Sequence, residues 1–233
     1  MEGYRPLDFK ELGDRINTIA SELAKLHATY QSNEKEITLW NQLFDWYEQA
    51  SKSISNHSFS NPEDCLKAQE LFETFDISNA LNHIQNEIIP KFTNSKTCFC
   101  HNDYQPLNIM MNDNGDIQMI DFEYGGYNYL AFDIANHFNE YAGGNDNAKP
   151  DYSLYPSLTT QEEFIKSYLK AYTHLGGEEF ELEELKRDVE VFASVNNLYW
   201  GLWAVNQAAC EGCAGFDYLL YATNRFRRYV DTR

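Results

Sequence analysis

The sequence predicts a mostly helical α+β fold with one small β-hairpin. Three observations carry that expectation. Apolar residues recur at helical spacing along several stretches, the first being Leu12, Ile16, Ile19, Leu23 and Leu26. Asn114-Gly115 is a strong two-residue hairpin turn, followed by the alternation of Ile117 and Met119 with Gln118 and Ile120. With 233 residues, 43% of them hydrophobic and 15% aromatic, the chain can bury a core as one large or two small domains.

The elements follow in order. Asp8 to Tyr30 reads as a helix opened by a capping box, Asp8-x-x-Glu11. The residues before it leave no room for a strand layer. Further helices are expected over 36–51, with Trp40, Leu43, Phe44 and Tyr47 on its apolar face, then 62–75 and 78–89. Pro62 suits a first helical position after Asn61 as cap. Thr97 to Cys100 reads as a strand, and Asn108 to Met111 pairs through the turn with 116–121. Asp133 can cap a helix running to about Tyr141. Thr160 with Glu163 forms a second capping box, opening a helix that buries Phe164, Tyr168 and Tyr172 and ends at Gly176-Gly177. An acidic run, 178–184, leads into a long helix to about Cys210, and 216–230 forms the last one.

Chemistry concentrates between Cys98 and Glu140. His101-Asn102-Asp103-Tyr104-Gln105-Pro106-Leu107-Asn108 has the H-x-D-x-x-x-x-N spacing of a kinase catalytic loop. In that pattern the Asp can accept a proton from a substrate hydroxyl, while the Asn and a later Asp hold Mg²⁺. A two-residue turn at Asn114-Gly115 sets Asp113 against Asp116 and Asn108 opposite Asp121. Side chains paired in this way share a face and can grip one hard cation.

The formal charge of −18 excludes nucleic acid and anionic membrane as natural partners and favours cations. No apolar run is long enough to span a bilayer and the N-terminus has no signal-peptide pattern, so the expected location is the cytoplasm. The five cysteines read as reduced, structural thiols there. Cys98 and Cys100 alternate along a strand, and Cys210-Glu-Gly-Cys213 lacks a second metal-ligand pair.

Cys100-His101-Asn102-Asp103, Ile120-Asp121-Phe122-Glu123-Tyr124 and Tyr127-Asn128-Tyr129-x-x-Phe132-Asp133-Ile134-x-Asn136-His137-Phe138-x-Glu140 resemble the choline/ethanolamine kinases. The resemblance extends over most of the chain, to Tyr221-Ala222-x-x-Arg225-Phe226. It implies a protein-kinase-like C-terminal lobe that phosphorylates ethanolamine or choline with ATP and Mg²⁺, the first step towards the corresponding phospholipids. Asp103 would be the catalytic residue, Asn108 and Asp121 the metal ligands, and His101 and Asp133 structural supports of the loop. Glu140, Trp200, Trp203 and Tyr221 would hold the ammonium group; Trp200 and Trp203 are three apart, with Gly201 between them leaving room for another segment or a ligand. The run through Asp151-Tyr152-Ser153-Leu154-Tyr155-Pro156 looks more like the ethanolamine branch.

The resemblance also implies a departure. Residues 1–7 match the hinge between the family's lobes and residues 8–233 the C-terminal lobe, so the N-terminal lobe is missing, with its Gly-rich loop and phosphate-binding Lys upstream of Met1. Gly125-Gly126, Gly143-Gly144 and Gly176-Gly177 do not supply that loop. The expectation is little turnover from this chain alone. The alternatives are an aminoglycoside-phosphotransferase-like kinase, or a silent amino-alcohol-binding module. A homodimer is compatible with the sequence.

Overall fold

The computed structural model describes residues 3–30 and 36–233; Met1 and Glu2 of the hinge segment lie outside them. In chain order the elements are β1 (Tyr4–Pro6), α1 (Ile16–Thr29), α2 (Thr38–Ser55), α3 (Pro62–Thr74) and α4 (Ile77–His83). There follow β2 (Thr97–Cys100), β3 (Ile109–Asn112), β4 (Ile117–Met119), β5 (Gly126–Tyr129), α5 (Leu130–Glu140), α6 (Leu158–His174), α7 (Leu182–Glu211) and α8 (Tyr218–Thr232). They fall into two compact units. One comprises Met1–Thr38, Lys96–Gly143 and Asp151–Ala193, the other Leu39–Ser95, Gly144–Pro150 and Ser194–Arg233, so α7 belongs to the first up to Ala193.

The first unit carries two small antiparallel sheets, ordered β1-β3-β4 and β2-β5. α1 packs along α6, with Leu12, Ile16, Ile19 and Leu23 buried as the periodicity predicts, while Leu26 is half-buried. Phe164 and Tyr168 on α6 are fully buried, and each apolar side chain of that size withdrawn from water contributes roughly 1.5–3 kcal/mol. The Asp8–Glu11 capping box is present, but it opens a short 3₁₀ turn; a second such turn spans Gly13–Arg15, and the α-helix begins only at Ile16. Gly13 falls where the break occurs, and a mid-helix glycine costs about 1 kcal/mol relative to alanine.

Several expectations need correction. The N-terminal segment does form a strand: Tyr4, Arg5 and Pro6 pair with Asn112, Met111 and Met110. The β3–β4 hairpin is one residue out of the predicted register, since Met111 pairs with Ile117 and Ile109 with Met119. Asn108 therefore lies opposite Ile120, whose N–H donates to its carbonyl at 3.0 Å, and not opposite Asp121. The loop has three residues. Asn112 Oδ1 accepts from the N–H groups of Asn114 and Asp116, and Gly115 adopts φ +85°, as a type I turn closed by a left-handed residue requires. Asp133 is the fourth residue of α5 and not its cap, which is Tyr129. Ser157, not Thr160, caps α6: its Oγ accepts from Thr160 N at 3.2 Å. The helix expected to Ile89 keeps α geometry only to His83, then passes through a π turn and a 3₁₀ turn.

The second unit is helical. Asn61 caps α3 by accepting from Glu63 N, and Asp217 caps α8 by accepting from Leu220 N at 2.9 Å. Aromatic side chains fill its core: Trp46 meets Tyr199 at 4.4 Å between ring centroids, and Phe226 meets both Phe72 and Phe75. Among the described residues no helix is long and apolar enough to cross a membrane.

Gly201 marks a close crossing of α7 and α8, because a Cβ there would sit 2.4 Å from the Phe226 ring. The space foreseen beside Gly201 is filled by this chain. Gly201→Ala should gain about 1 kcal/mol of helix propensity and lose about 1–3 kcal/mol to overpacking. The expected net result is a lower urea midpoint, partly restored by adding Phe226→Leu. An unchanged or raised midpoint in the single variant refutes the close crossing.

Candidate active site

The loop from His101 to Asn108 is held at both ends and in the middle. At its start, the backbone N–H groups of His101 and Asn102 donate to the two carboxylate oxygens of Asp133, at 2.6 and 2.7 Å. Asn102 takes φ +65°, a conformation Asn tolerates better than most residues. Its side chain is fixed there, donating to Tyr124 O at 2.8 Å and accepting from Asn128 Nδ2 at 2.7 Å. His101 Nε2–H donates to Ile120 O at 2.8 Å, fixing the residue immediately before Asp121.

In the middle, Asp103 and Asn108 are locked together. Asn108 Nδ2 donates to the carbonyl oxygen and to Oδ2 of Asp103, both at 2.9 Å, and Gln105 Nε2 donates to the same Oδ2 at 2.8 Å. The Asp103 carbonyl oxygen can only accept, so the amide orientation of Asn108 is forced. Two atoms remain available. Asp103 Oδ1 makes no bond among the described residues, and Asn108 Oδ1 turns away from the carboxylate it would repel. Asp121 follows β4 with φ +62° and an exposed side chain, and its charge is felt at Asp103. Asn108 Oδ1 and the Asp121 carboxylate are hard oxygen donors, a set that suits Mg²⁺ completed by water and phosphate oxygens.

One stripe of α5 addresses this loop. Asp133, His137 and Glu140 stand at i, i+4 and i+7, hence on one helical face. Asp133 holds the amides of residues 101 and 102, while His137 Nδ1–H donates to Tyr104 O at 3.1 Å. Burial depresses His137 to about 4, so it serves as a neutral donor. Glu140 is buried, and its charge acts on Asp103. Burial, then the charges of Glu140 and Asp121, push the Asp103 carboxyl up to about 8, against the donors from Gln105 and Asn108.

The remaining candidates lie in the second unit, and there they cluster. Trp200 and Trp203 meet edge-on at 5.5 Å, and Trp203 reaches Tyr221 at 6.4 Å. Trp200 and Tyr221 are buried and Trp203 is half-buried. The buried Arg225 guanidinium stands 4.9 Å from the centre of the Tyr221 ring, so one face of that ring already holds a cation.

The sequence reading missed two histidines. His137 carried a signal, because it falls four residues after Asp133 on a predicted helix. His27 carried a weaker one, a polar residue four past Leu23 on a buried stripe. It is fully enclosed, with Nε2 3.0 Å from Asp133 Oδ2.

The choline/ethanolamine kinase family model matches residues 4–230. Ethanolamine kinase 1 of Mus musculus is 37% identical over 225 residues, 91% of this chain and 58% of that protein. A probable ethanolamine kinase of Arabidopsis thaliana is 38% identical over 217 residues, covering 91% and 54% respectively. The chain thus spans about half the length of the curated relatives it matches. Among solved structures, choline kinase from Cryptosporidium parvum superposes with a TM-score of 0.79 at 25% identity, over 100% of this chain and 68% of that one. Plasmodium vivax ethanolamine kinase gives 0.81 at 24% identity over 98% and 62%, a likeness of fold. The chain belongs to the choline/ethanolamine kinase family.

Proposed function

We propose that this chain supplies the catalytic loop and metal ligands for transfer of a phosphoryl group from ATP to the hydroxyl of an amino alcohol, with ethanolamine preferred. One observation carries the reading. Asp103 is anchored through Oδ2 by Asn108 and Gln105, leaving Oδ1 to accept a proton from a substrate hydroxyl. Asn108 and Asp121 would hold Mg²⁺, which would offset charge on the transferred group. His101 and Asp133 keep the loop in place and touch no substrate. Glu140 would pair with the ammonium, and Trp200, Trp203 and Tyr221 would offer aromatic surface; these four parts rest on the resemblance.

The preference for ethanolamine is supported by the names of the relatives at 35–38% identity; a probable choline kinase of Arabidopsis thaliana stands at 32%. A primary ammonium brings three N–H donors that want oxygen acceptors, whereas a trimethylammonium brings none. A buried carboxylate therefore suits the former.

All tests use the complete protein with ATP, Mg²⁺ and either alcohol. Asp103→Asn should lower kcat by about 10²–10⁴-fold with little change in KM and an unchanged circular dichroism spectrum. Near-normal kcat refutes the assignment.

The same substitution should stabilise the metal-free fold. The Asp103 carboxyl rises from 3.8 to about 8 on folding, so between those values the folded chain keeps a proton that the unfolded chain has released. Stability then falls as pH rises through that window, and the penalty is complete above about 8. The Tm advantage of Asp103→Asn should grow with pH over this range. A constant difference contradicts it.

Glu140→Gln should raise KM for ethanolamine more than for choline, because it removes a charged acceptor that only N–H donors use fully. Equal loss for both makes Glu140 a general counter-charge. A tenfold or greater kcat/KM advantage for choline in the parent protein overturns the ethanolamine preference.

A further inference from the structure

By sequence alone Cys98 and Cys100 are two thiols without a third ligand, but the fold brings His27 to them. One ligand atom from each of His27, Cys98 and Cys100 lies within 4.8 Å of the other two. We propose that these residues form a buried structural site for a tetrahedral, thiolate-preferring divalent ion of the zinc class. It is separate from the oxygen-only donors at Asn108 and Asp121.

The spacing of the sulfurs fits such an ion. Cys98 and Cys100 stand two residues apart on β2, share a face, and place their Sγ atoms 3.7 Å apart. Thiolates bound at about 2.3 Å on a tetrahedral centre stand ~3.8 Å from each other, so the pair needs almost no rearrangement. The two-residue separation that made the pair look inert is what gives this distance.

The imidazole has a carboxylate partner as well. Asp133 Oδ2 is 3.0 Å from His27 Nε2, and a carboxylate there accepts the Nε2 proton and leaves Nδ1 for a metal. A ligating histidine whose other nitrogen is held by a carboxylate is the usual outer-shell arrangement at such sites. Tyr168 Oη lies 2.8 Å from His27 Nδ1 and offers the fourth donor.

Burial and charge point the same way. His27, Cys98, Cys100 and Tyr168 are 4%, 8%, 0% and 0% exposed. Two thiolates neutralise a divalent cation, so the loaded cluster adds no net charge to this interior. Without the ion the sulfurs meet each other at 3.7 Å, Cys98 interacts with the imidazole of His27, and Cys100 Sγ lies 3.6 Å from Tyr129 O. A site this enclosed loads during folding and contributes its binding free energy to the fold.

The test reads metal directly. The complete protein is unfolded with reductant and chelator, refolded anaerobically with Co²⁺, and passed through gel filtration. In parallel, zinc is measured by mass spectrometry in protein from zinc-supplemented cells. The expected result is about one equivalent per chain, with the near-ultraviolet thiolate-to-cobalt band and strong visible absorption of a tetrahedral centre. Cys98→Ser and Cys100→Ser should each cut occupancy at least ~10-fold with circular dichroism retained, while the Cys210→Ser/Cys213→Ser double variant keeps it. Wild-type occupancy below about 0.1 equivalent, or a signal that vanishes with Cys210 and Cys213, overturns the proposal. The wild-type value decides even if a serine variant fails to fold.

Discussion

The loop geometry depends on one carboxylate. Asp133 accepts the amide N–H groups of His101 and Asn102 at 2.6 and 2.7 Å and lies 3.0 Å from the imidazole of His27, all in a region closed to water. Bonds from neutral amides to an ionised carboxylate are short and about twice as strong as neutral pairs. Loss of the acceptor would leave two buried N–H groups unpaired, at roughly 1–3 kcal/mol each. That is enough to hold Asn102 at φ +65°, from which the chain enters Asp103.

The stripe of α5 explains why the loop and its support read as a single sequence motif. Asp133, His137 and Glu140 act on three successive parts of the loop: amides at its start, the Tyr104 carbonyl beyond Asp103, and the charge of Asp103 itself. Helical spacing alone places all three on one face, so they must travel together in sequence, 30 to 40 residues after the loop they serve. The motif between Cys98 and Glu140 was therefore legible, as were most helices, because local periodicity encodes both.

What was not legible depends on contacts made far along the chain. The N-terminal strand exists because β3 offers it an edge; three residues ending in proline carry no strand signal of their own. β5 was masked by the same residues that carried the family likeness, Tyr127-Asn128-Tyr129, and it pairs with β2 at a separation no local pattern reveals. The hairpin register failed for a subtler reason. Asn-Gly is equally at home in a two-residue turn and at the end of a three-residue loop, and Asn112, whose side chain accepts from Asn114 and Asp116, settles it for the longer loop. Asn108 and Asp121 were expected opposite each other on this ladder, and the observed register does not pair them. Asp121 stands one residue beyond the pairing, and His101 and Asn102 tie the segment from Ile120 to Tyr124 to the loop from His101 to Asn108.

The electrostatics of this unit follow from that packing. Asp103 feels both Glu140 and Asp121, in a chain whose formal charge is already −18. Carboxylates brought together repel one another, and burial makes Asp103 harder to ionise. Amide donors from Gln105 and Asn108 relieve it. Holding Asp103 ionised here costs stability, and a cation bound nearby would lower that cost. The raised carboxyl of Asp103 comes first from burial and then from the charges of Glu140 and Asp121, so a positive charge bound beside it would favour the ionised form and free the carboxylate to accept a proton.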